Sequence, residues 1–342
     1  LGDAPSRRSA SDSPLTHGHA AVEAVRAIRD GRSRALVCMG GNLAVAMPDP
    51  DTTLPAMRNL DLVVHIATKL NRSHLITAKQ MFLLPCLGRT ERDVQASGLQ
   101  SVTVEDSMSM VHASQGGLAP ASEHLLSEPA IVAGIARATL PQTKVDWDWL
   151  VEDYDRIRDA IEAVFPMFKD YNVRVRQPGG FRLYIGASER DWGAVGKARF
   201  LVAPGLSEDP ATRAHDLLTL TTVRSHDQYN TTIYGFDDRY RGVSGRRDVV
   251  FMNAEDLEAR GLQHGDRIDI ASHVPGGDGT ARHVHGFTAV KYDLPRGSAA
   301  MYYPEGNRLV PLDSHDPRSG TPTYKSIPVR ITKSHDAGGH VD

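Results

Sequence analysis

Residues 218–240, LTLTTVRSHDQYNTTIYGFDDRY, carry the densest set of ligand-capable side chains in this sequence. They open as a short apolar and β-branched run. They then place Thr221, Thr222, Arg224, Ser225, His226, Gln228, Tyr229 and Asn230 within ten positions. Neither a helical nor a strand period sorts these groups onto one solvent face. Hydroxyls and amides satisfy heteroatoms, and a guanidinium can fork onto a phosphate, so the set suits a large, polar, anionic ligand. A polar surface loop is the competing reading of the same composition.

Two further clusters follow short apolar runs. Gly40–Gly41–Asn42 comes directly after the run at 34–39. Glycines there let a ligand approach the backbone, and bare N–H groups can hold phosphate oxygens. The spacing is not G-x-G-x-x-G, so the dinucleotide fingerprint is absent and a simple tight turn stays open. His65, Thr68, Lys69 and Asn71 follow the run at 60–67. The ends of parallel strands are where ligands bind in open α/β sheets, although four polar residues also make an ordinary loop.

Other combinations are weaker. His283 and His285 would share one face of a strand, but no carboxylate or third histidine has matching spacing, so they read as surface histidines. Ser225–His226–Asp227 are sequence neighbours whose side chains point apart in an extended segment, and no G-x-S-x-G elbow occurs. Glu105–Asp106 reads as a polar loop or a cap, and Trp147 and Trp149, between Asp146 and Asp148, as packing at the start of a helix. Arg239, Arg241, Arg246 and Arg247 alternate with Asp237, Asp238 and Asp248, which predicts a solvated ion-pair surface and not a nucleic-acid patch.

The elements that must position these groups fall into two styles. An amphipathic helix is predicted at 20–30, with Val22, Val25 and Ile28 on one face and Gly31 as its stop. Apolar runs at 34–39, 60–67 and 81–84, with a possible fourth at 101–104, predict strands, the first two of the kind buried on both faces. Helices at about 53–59, 127–139 and 148–165 lie between or after them, which argues an α/β domain with a parallel sheet. After Pro204–Gly205 short strands dominate, at 249–252, 267–274, 283–292, 298–303 and 326–331. One short helix interrupts them, with Asn253 as cap, Asp256 near its positive end and Gly261 as the αL residue after it. A closed, mostly β barrel follows. The predicted organisation is a disordered tail at 1–16, an α/β domain at 17–208, a barrel at 209–335 and a tail at 336–342.

Composition excludes several classes. A formal charge of -3 over 342 residues gives no footprint for nucleic acid. No apolar run approaches the length of a membrane span, so no membrane insertion is expected. Cys38 and Cys86, the two cysteines, cannot make an iron–sulfur binding run or a cysteine zinc site within this chain. A reducing, cytoplasmic setting fits. The sequence begins at Leu1 and not at Met, as expected of a fragment, a processed product or an incomplete record, so an export signal stays open.

LTTVRSHDQYNT resembles the stretch that opens the C-terminal barrel of molybdopterin-dinucleotide oxidoreductases, the formate dehydrogenase and dimethyl sulfoxide reductase family. NAEDLEARGLQHGDRIDI at 253–270 is similar to that domain's A-x-x-L-G-I-x-x-G-D unit, part of a double-psi barrel. EGNRLVP, containing Asn307, and TPTYKSIPVRI at 321–331 resemble its two closing cofactor segments. Upstream, MGGNLAVAMPD, LDLVVHIATKLNRSH, LLPCLGRTE and VTVEDSMSMVHASQG are similar to successive strand-end loops of the family's α/β dinucleotide-binding domain. The likeness is nearest to the formate dehydrogenase-like alpha-subunit branch, also called YdeP-type, and covers most of residues 20–333.

The resemblance implies a binding role. Gly41, Asn42, His65, Thr68, Lys69 and Asn71 would surround a guanine nucleotide and its phosphates, with Gly88 and Arg89 in the next cofactor loop. Thr222, Arg224, Ser225, His226, Tyr229 and Asn230 would contact the pyranopterin and diphosphate, and Asn307, Tyr324 and Lys325 would complete that pocket. The implied cofactor is molybdopterin guanine dinucleotide, as bis-MGD with molybdenum or tungsten in the intact enzyme. The chain departs from the family where His65–Ile66 stands in place of a common Gln–Asp, and where Cys86–Leu87–Gly88–Arg89–Thr90–Glu91 replaces a Ser-Trp-x-Glu-type segment. Family members are longer, and their N-terminal half holds the metal ligand and, in most branches, an iron–sulfur site. The expectation is therefore a C-terminal, cofactor-holding portion with no catalytic residue of its own. Its partners would be the N-terminal half of the same enzyme and an electron-transfer protein that the sequence does not identify. The alternative is a stand-alone, non-catalytic pterin- or nucleotide-binding module or structural subunit.

Overall fold

The computed structural model describes residues 19–200, 202, 216–229, 235–274, 279–317 and 319–334. The expected tails, the boundary near 205–215 and Asn230 lie outside the described residues. These residues form two compact units, one of Ile66–Lys69 with Leu84–Val202, the other holding the remainder.

In the larger unit, α1 (Ala21–Arg29) buries Val22, Val25 and Ile28 at helical spacing. It stops where Gly31 adopts φ +72°, a conformation that costs a side-chain-bearing residue much more. Then follow β1 (Ala35–Met39), α2 (Leu43–Ala46), α3 (Pro50–Arg58), β2 (Leu62–Ala67) and β3 (Gln80–Pro85). The strands make one sheet in the order β1-β2-β3. One sheet face carries Leu36, Val63 and Met81 and packs on Ile28, Ala56 and Leu60. The other is open. Val37 is 56% exposed, Met39 49% and Phe82 55%. The expectation that β1 is buried on both faces is therefore corrected. Helices of the described residues cover one side only, and its burial alternates residue by residue.

The smaller unit contains two short paired strands, β4 (Val94–Gln95) and β5 (Gly98–Leu99), and a three-stranded sheet of β6 (Val102–Glu105), β7 (Met110–Ser114) and β8 (Phe181–Arg182). The possible fourth strand at 101–104 thus belongs to an antiparallel sheet, because Asp106 accepts from the backbone N–H of Met108 and Met110 and turns β6 back on β7. Between β7 and β8 lie α4 (Glu128–Thr139), α5 (Trp147–Glu152), α6 (Tyr154–Val164) and α7 (Tyr171–Val175). The single helix expected at 148–165 is two. Asp153, at φ -152°, breaks the run and caps α6 by accepting from Asp155 N at 3.0 Å.

The second part of the larger unit is a closed six-stranded barrel. Its strands are β9 (Leu218–Val223), β10 (Val249–Met252), β11 (Arg267–Ser272), β12 (His283–Lys291), β13 (Ser298–Tyr302) and β14 (Ile327–Lys333). The order around it is β10-β12-β11-β14-β9-β13, with β10/β12 and β9/β13 parallel and the rest antiparallel. Closure removes free edges, and the interior is filled by Leu218, Leu220, Val250, Met252, Ile268, Ile270, Met301, Val329 and their neighbours. The helix α8 (Ala254–Glu258) is capped by Asn253 Oδ1, which accepts from Glu255 N at 2.8 Å, and Gly261 takes φ +63°. Among the described residues no helix is long and apolar enough to cross a membrane.

Candidate functional site

β9 delivers the polar stretch. Its burial alternates, so Leu218, Leu220 and Thr222 point inward. The run that showed no clear period in sequence is a strand as far as Val223 and a tight turn from Ser225 to Gln228. Thr222 is 1% exposed, and its carbonyl and hydroxyl face the ammonium of Lys325, which donates to the carbonyl. Arg224, two positions after Thr222, is exposed, and no described carboxylate pairs with it or with Lys325. Burial lowers the Lys325 pKa from its ordinary value, and the positive charge of Arg224 lowers it further. Burial raises the pKa of the nearby Tyr303 phenol, with Asn307 and the charge of Arg224 opposing. Two like charges held together without a counter-charge destabilise each other until an anion arrives.

The rest of the turn is committed internally. Ser225 Oγ accepts from Arg247 Nη1 at 2.7 Å and donates to Gln228 Oε1 at 3.2 Å. It makes no bond to His226, so the triad excluded on spacing is absent in space. His226 Nε2 lies 3.1 Å from Asp227 Oδ1 and 3.2 Å from Arg239 Nη2, and its ring leans on Tyr240. Tyr229 is 72% exposed. The expected solvated ion-pair surface needs correction in part. Arg239 and Asp237 are exposed, and Arg246 pairs with a half-exposed Asp248. Arg247, however, is 4% exposed and Asp238 only 1%, so these two charges are buried. Mixed signs in sequence could not distinguish the two, because burial depends on Tyr302, Tyr303 and Glu305 from a distant segment.

Asn307 and Tyr324, predicted to close a cofactor pocket, act on the first part of the same unit. Asn307 Nδ2 donates to the carbonyls of Val45 and Ala46 at 3.0 and 3.1 Å, and Tyr324 OH donates to that of Ala46 at 2.7 Å. They cap a four-residue helix whose last carbonyls have no partner along the helix. Asn307 Oδ1, itself buried, has no partner among the described residues.

At the end of β1, Gly41 is exposed, and a Cβ built on it would meet nothing within 4 Å. Asn42 is buried and accepts from Ser73 Oγ at 2.9 Å, while Asn71 donates to the Gly41 carbonyl at 3.2 Å and accepts from Ser73 N at 2.9 Å. Both amides therefore lock the turn. His65, 1% exposed, lies edge-on to His74, with neither ring nitrogen of His65 partnered among the described residues. Burial lowers both histidine pKa values.

In the smaller unit, Thr68 and Lys69 are exposed at the end of β2. Gly88 N donates to Glu91 Oε2 at 2.6 Å, and Arg89 donates to Ser114 Oγ at 2.9 Å. Burial and two nearby carboxylates raise Cys86 to about 11, so its thiol is protonated at neutral pH and is no activated nucleophile. No cluster of three or more His, Cys, Asp or Glu side chains that could hold a metal occurs among the described residues. His283 and His285 stack in parallel, and His285 Nδ1 lies 3.4 Å from Asp269 Oδ2.

Residues 218–328 match the molydopterin dinucleotide binding domain. Protein YdeP of Escherichia coli is 54% identical over 323 residues, 94% of this chain and 43% of that protein. An uncharacterised oxidoreductase of Mycobacterium bovis is 49% identical over 324 residues, 93% of this chain and 41% of that protein. The chain thus spans about two-fifths of the length of these relatives. The fold is similar to that of acetylene hydratase from Pelobacter acetylenicus, at a TM-score of 0.56 and 15% identity, over 92% of this chain and 46% of that one. The motif order along β9 to β14, the closed barrel and these likenesses together place the chain in the molybdopterin-dinucleotide oxidoreductase family, with the dinucleotide-binding domain formed by its barrel.

Proposed function

We propose that this chain holds the phosphate and pterin portions of a molybdopterin guanine dinucleotide, of the bis-MGD type, within a formate dehydrogenase-like oxidoreductase. The observation that carries the reading is the uncompensated cation pair of Arg224 and Lys325 beside Thr222. Its donor chemistry fits a diphosphate, and the unpartnered Asn307 Oδ1 and His65 nitrogens fit a heteroaromatic ligand with its own donors and acceptors. Arg224 would fork onto phosphate, Lys325 would add a point charge, and the open backbone at Gly41 would accept close approach. Thr68, Lys69, Gly88 and Arg89 offer nucleotide-compatible groups on residue type alone. His226 and Tyr229 remain proposed contacts beside the turn.

In this reading the α/β part is a parallel dinucleotide-binding sheet and the barrel is of the double-psi kind. The bound molybdenum or tungsten group supplies the oxidation–reduction step, and these residues bind and orient it. The metal-ligating residue would come from polypeptide outside this chain, and the site of action would be the cytoplasm. Calorimetry with inorganic pyrophosphate tests the anion site. Arg224→Ala or Lys325→Ala should each remove roughly 1.5–3 kcal/mol of binding. Affinities equal to that of the unmodified chain would sink the reading.

A further inference from the structure

Arg224 presents its guanidinium to solvent, while its carbonyl and the turn that follows are held by polar partners, of which Asp238, Ser225 and Arg247 are buried. On one side Arg241 Nη1 donates to the Arg224 carbonyl at 3.1 Å and to Asp238 Oδ2 at 2.6 Å, and Tyr302 OH also donates to Asp238 Oδ2 at 2.9 Å. On the other side stands Arg247. Its Nε and Nη2 fork onto Glu305 at 2.7 and 3.1 Å. Nη1 donates to Ser225 Oγ at 2.7 Å, and Nη2 donates to Gln228 Oε1 at 3.1 Å and to the Tyr303 carbonyl at 2.9 Å. Its guanidinium carbon lies 4.7 Å from the centre of the Tyr302 ring. The turn is also tied directly, since Gln228 Oε1 accepts from Ser225 N at 2.9 Å and Gln228 Nε2 donates to the Tyr303 carbonyl at 2.6 Å.

We propose that Arg247 is a positioning residue for the anion site. By bolting the Ser225–Gln228 turn to the Tyr303–Glu305 corner, it holds Arg224 where its charge adds to that of Lys325. The proposal rests on the anion reading above and deepens it. A buried arginine spread over several separate partners, the Gly235 carbonyl at 3.4 Å among them, is an expensive way to pack a corner. An apolar side chain of similar volume would fill the space without the desolvation penalty of the charge. What the planar fork supplies is a fixed spacing among the turn, the corner and the carboxylate of Glu305, which a lysine cannot reproduce. A turn fixed before binding spares the anion the ordering of Arg224. The same bonds explain why Ser225 and Gln228, although ligand-capable in type, face inward.

The test uses the full chain. Amide hydrogen exchange, measured without ligand, should quicken at Ser225 and Gln228 in Arg247→Lys and in the milder Ser225→Ala, while amides of β11 and β14 keep their protection. Unchanged exchange in the turn overturns the proposal. Pyrophosphate affinity should fall roughly five- to tenfold in both variants. Val329→Ala, a core truncation in β14, serves as the control for lost stability alone and should bind as the unmodified chain does. An equal affinity loss in that control overturns the positioning role. Arg224→Ala binding pyrophosphate undiminished would instead defeat the anion reading, and the exchange data still judge the clamp independently.

Discussion

Asp49 and Arg282, 233 positions apart, meet two-on-two. Arg282 Nε lies 3.0 Å from Asp49 Oδ1, and Nη2 lies 2.8 Å from Oδ2. Their side chains are 3% and 10% exposed. Asp49 also accepts from Leu312 N at 3.2 Å and from the Thr52 hydroxyl at 3.0 Å. One carboxylate thus joins the start of α3, the approach to β12 and the segment after Asn307. Removing one partner leaves a buried charge without its counter-charge. Asp49→Ala should therefore cost about 3–5 kcal/mol in urea unfolding. The double replacement Asp49→Leu with Arg282→Met should cost less than the sum of the single changes. Strict additivity would show that the pair is not coupled.

The barrel was readable because its strands are short β-branched runs between turn residues, and Asn253 and Gly261 mark the ends of α8 by type alone. β10 matched its predicted bounds, and β11 to β14 differed from theirs by one or two residues at their ends. What could not be read depends on partners distant in sequence. Nothing near Arg247 shows that it is buried, because Glu305 and the Tyr303 carbonyl come from 58 and 56 positions away. Asn307 and Tyr324 have the right chemistry for a ligand, and the carbonyls they take up lie more than 260 positions upstream. The exposed face of β1 has a different cause. An apolar strand carries no record of how many of its faces are covered within the same chain. The break at Asp153 was missed because an aspartate inside a helical pattern can be either a surface residue or a cap.

His65 and His74 make stability depend on pH. Their folded pKa values lie below the ordinary value, through burial and, for His65, also the neighbouring His74. The unfolded chain therefore takes up more protons below about pH 6.5. The stability tied to the neutral rings is complete above that pH and is lost as pH falls toward the lower folded values. Because His65 has both nitrogens unpartnered, His65→Leu should be neutral or stabilising at pH near 7.5 in the ligand-free chain. It should also flatten the loss of urea stability between about pH 7 and 5. The same slope in the variant and the unmodified chain would remove His65 as a cause.

Glycine replacements separate binding from folding. A Cβ at Gly41 meets nothing within 4 Å, and its φ lies outside the left-handed region, so Gly41→Ala should unfold at the same temperature as the unmodified chain. If a ligand approaches that backbone, the added methyl should still weaken nucleotide binding, which calorimetry with guanosine diphosphate reads. Gly306→Ala is the contrast. Its Cβ would sit 2.9 Å from Thr222 Cγ2. Thr222 is buried against the barrel, so the overlap should cost about 1–3 kcal/mol of stability.

Tyr324 and Asn307 make the sharpest test of how the two parts of the larger unit are tied. Tyr324→Phe removes one donor to the Ala46 carbonyl and keeps the ring, so its cost should be about 1 kcal/mol. Asn307→Ala removes the donor shared by Val45 and Ala46 and opens a small cavity in a residue 3% exposed, and should cost about 2–3 kcal/mol. Both donors converge on Ala46, so the double variant should deviate from additivity, because each single change leaves that carbonyl one partner and the double leaves it none. Amide exchange in α2 should quicken most in the double variant, since nothing else among the described residues caps its last carbonyl from the barrel side. An additive double variant with α2 exchange unchanged would show that these side chains do not hold the helix.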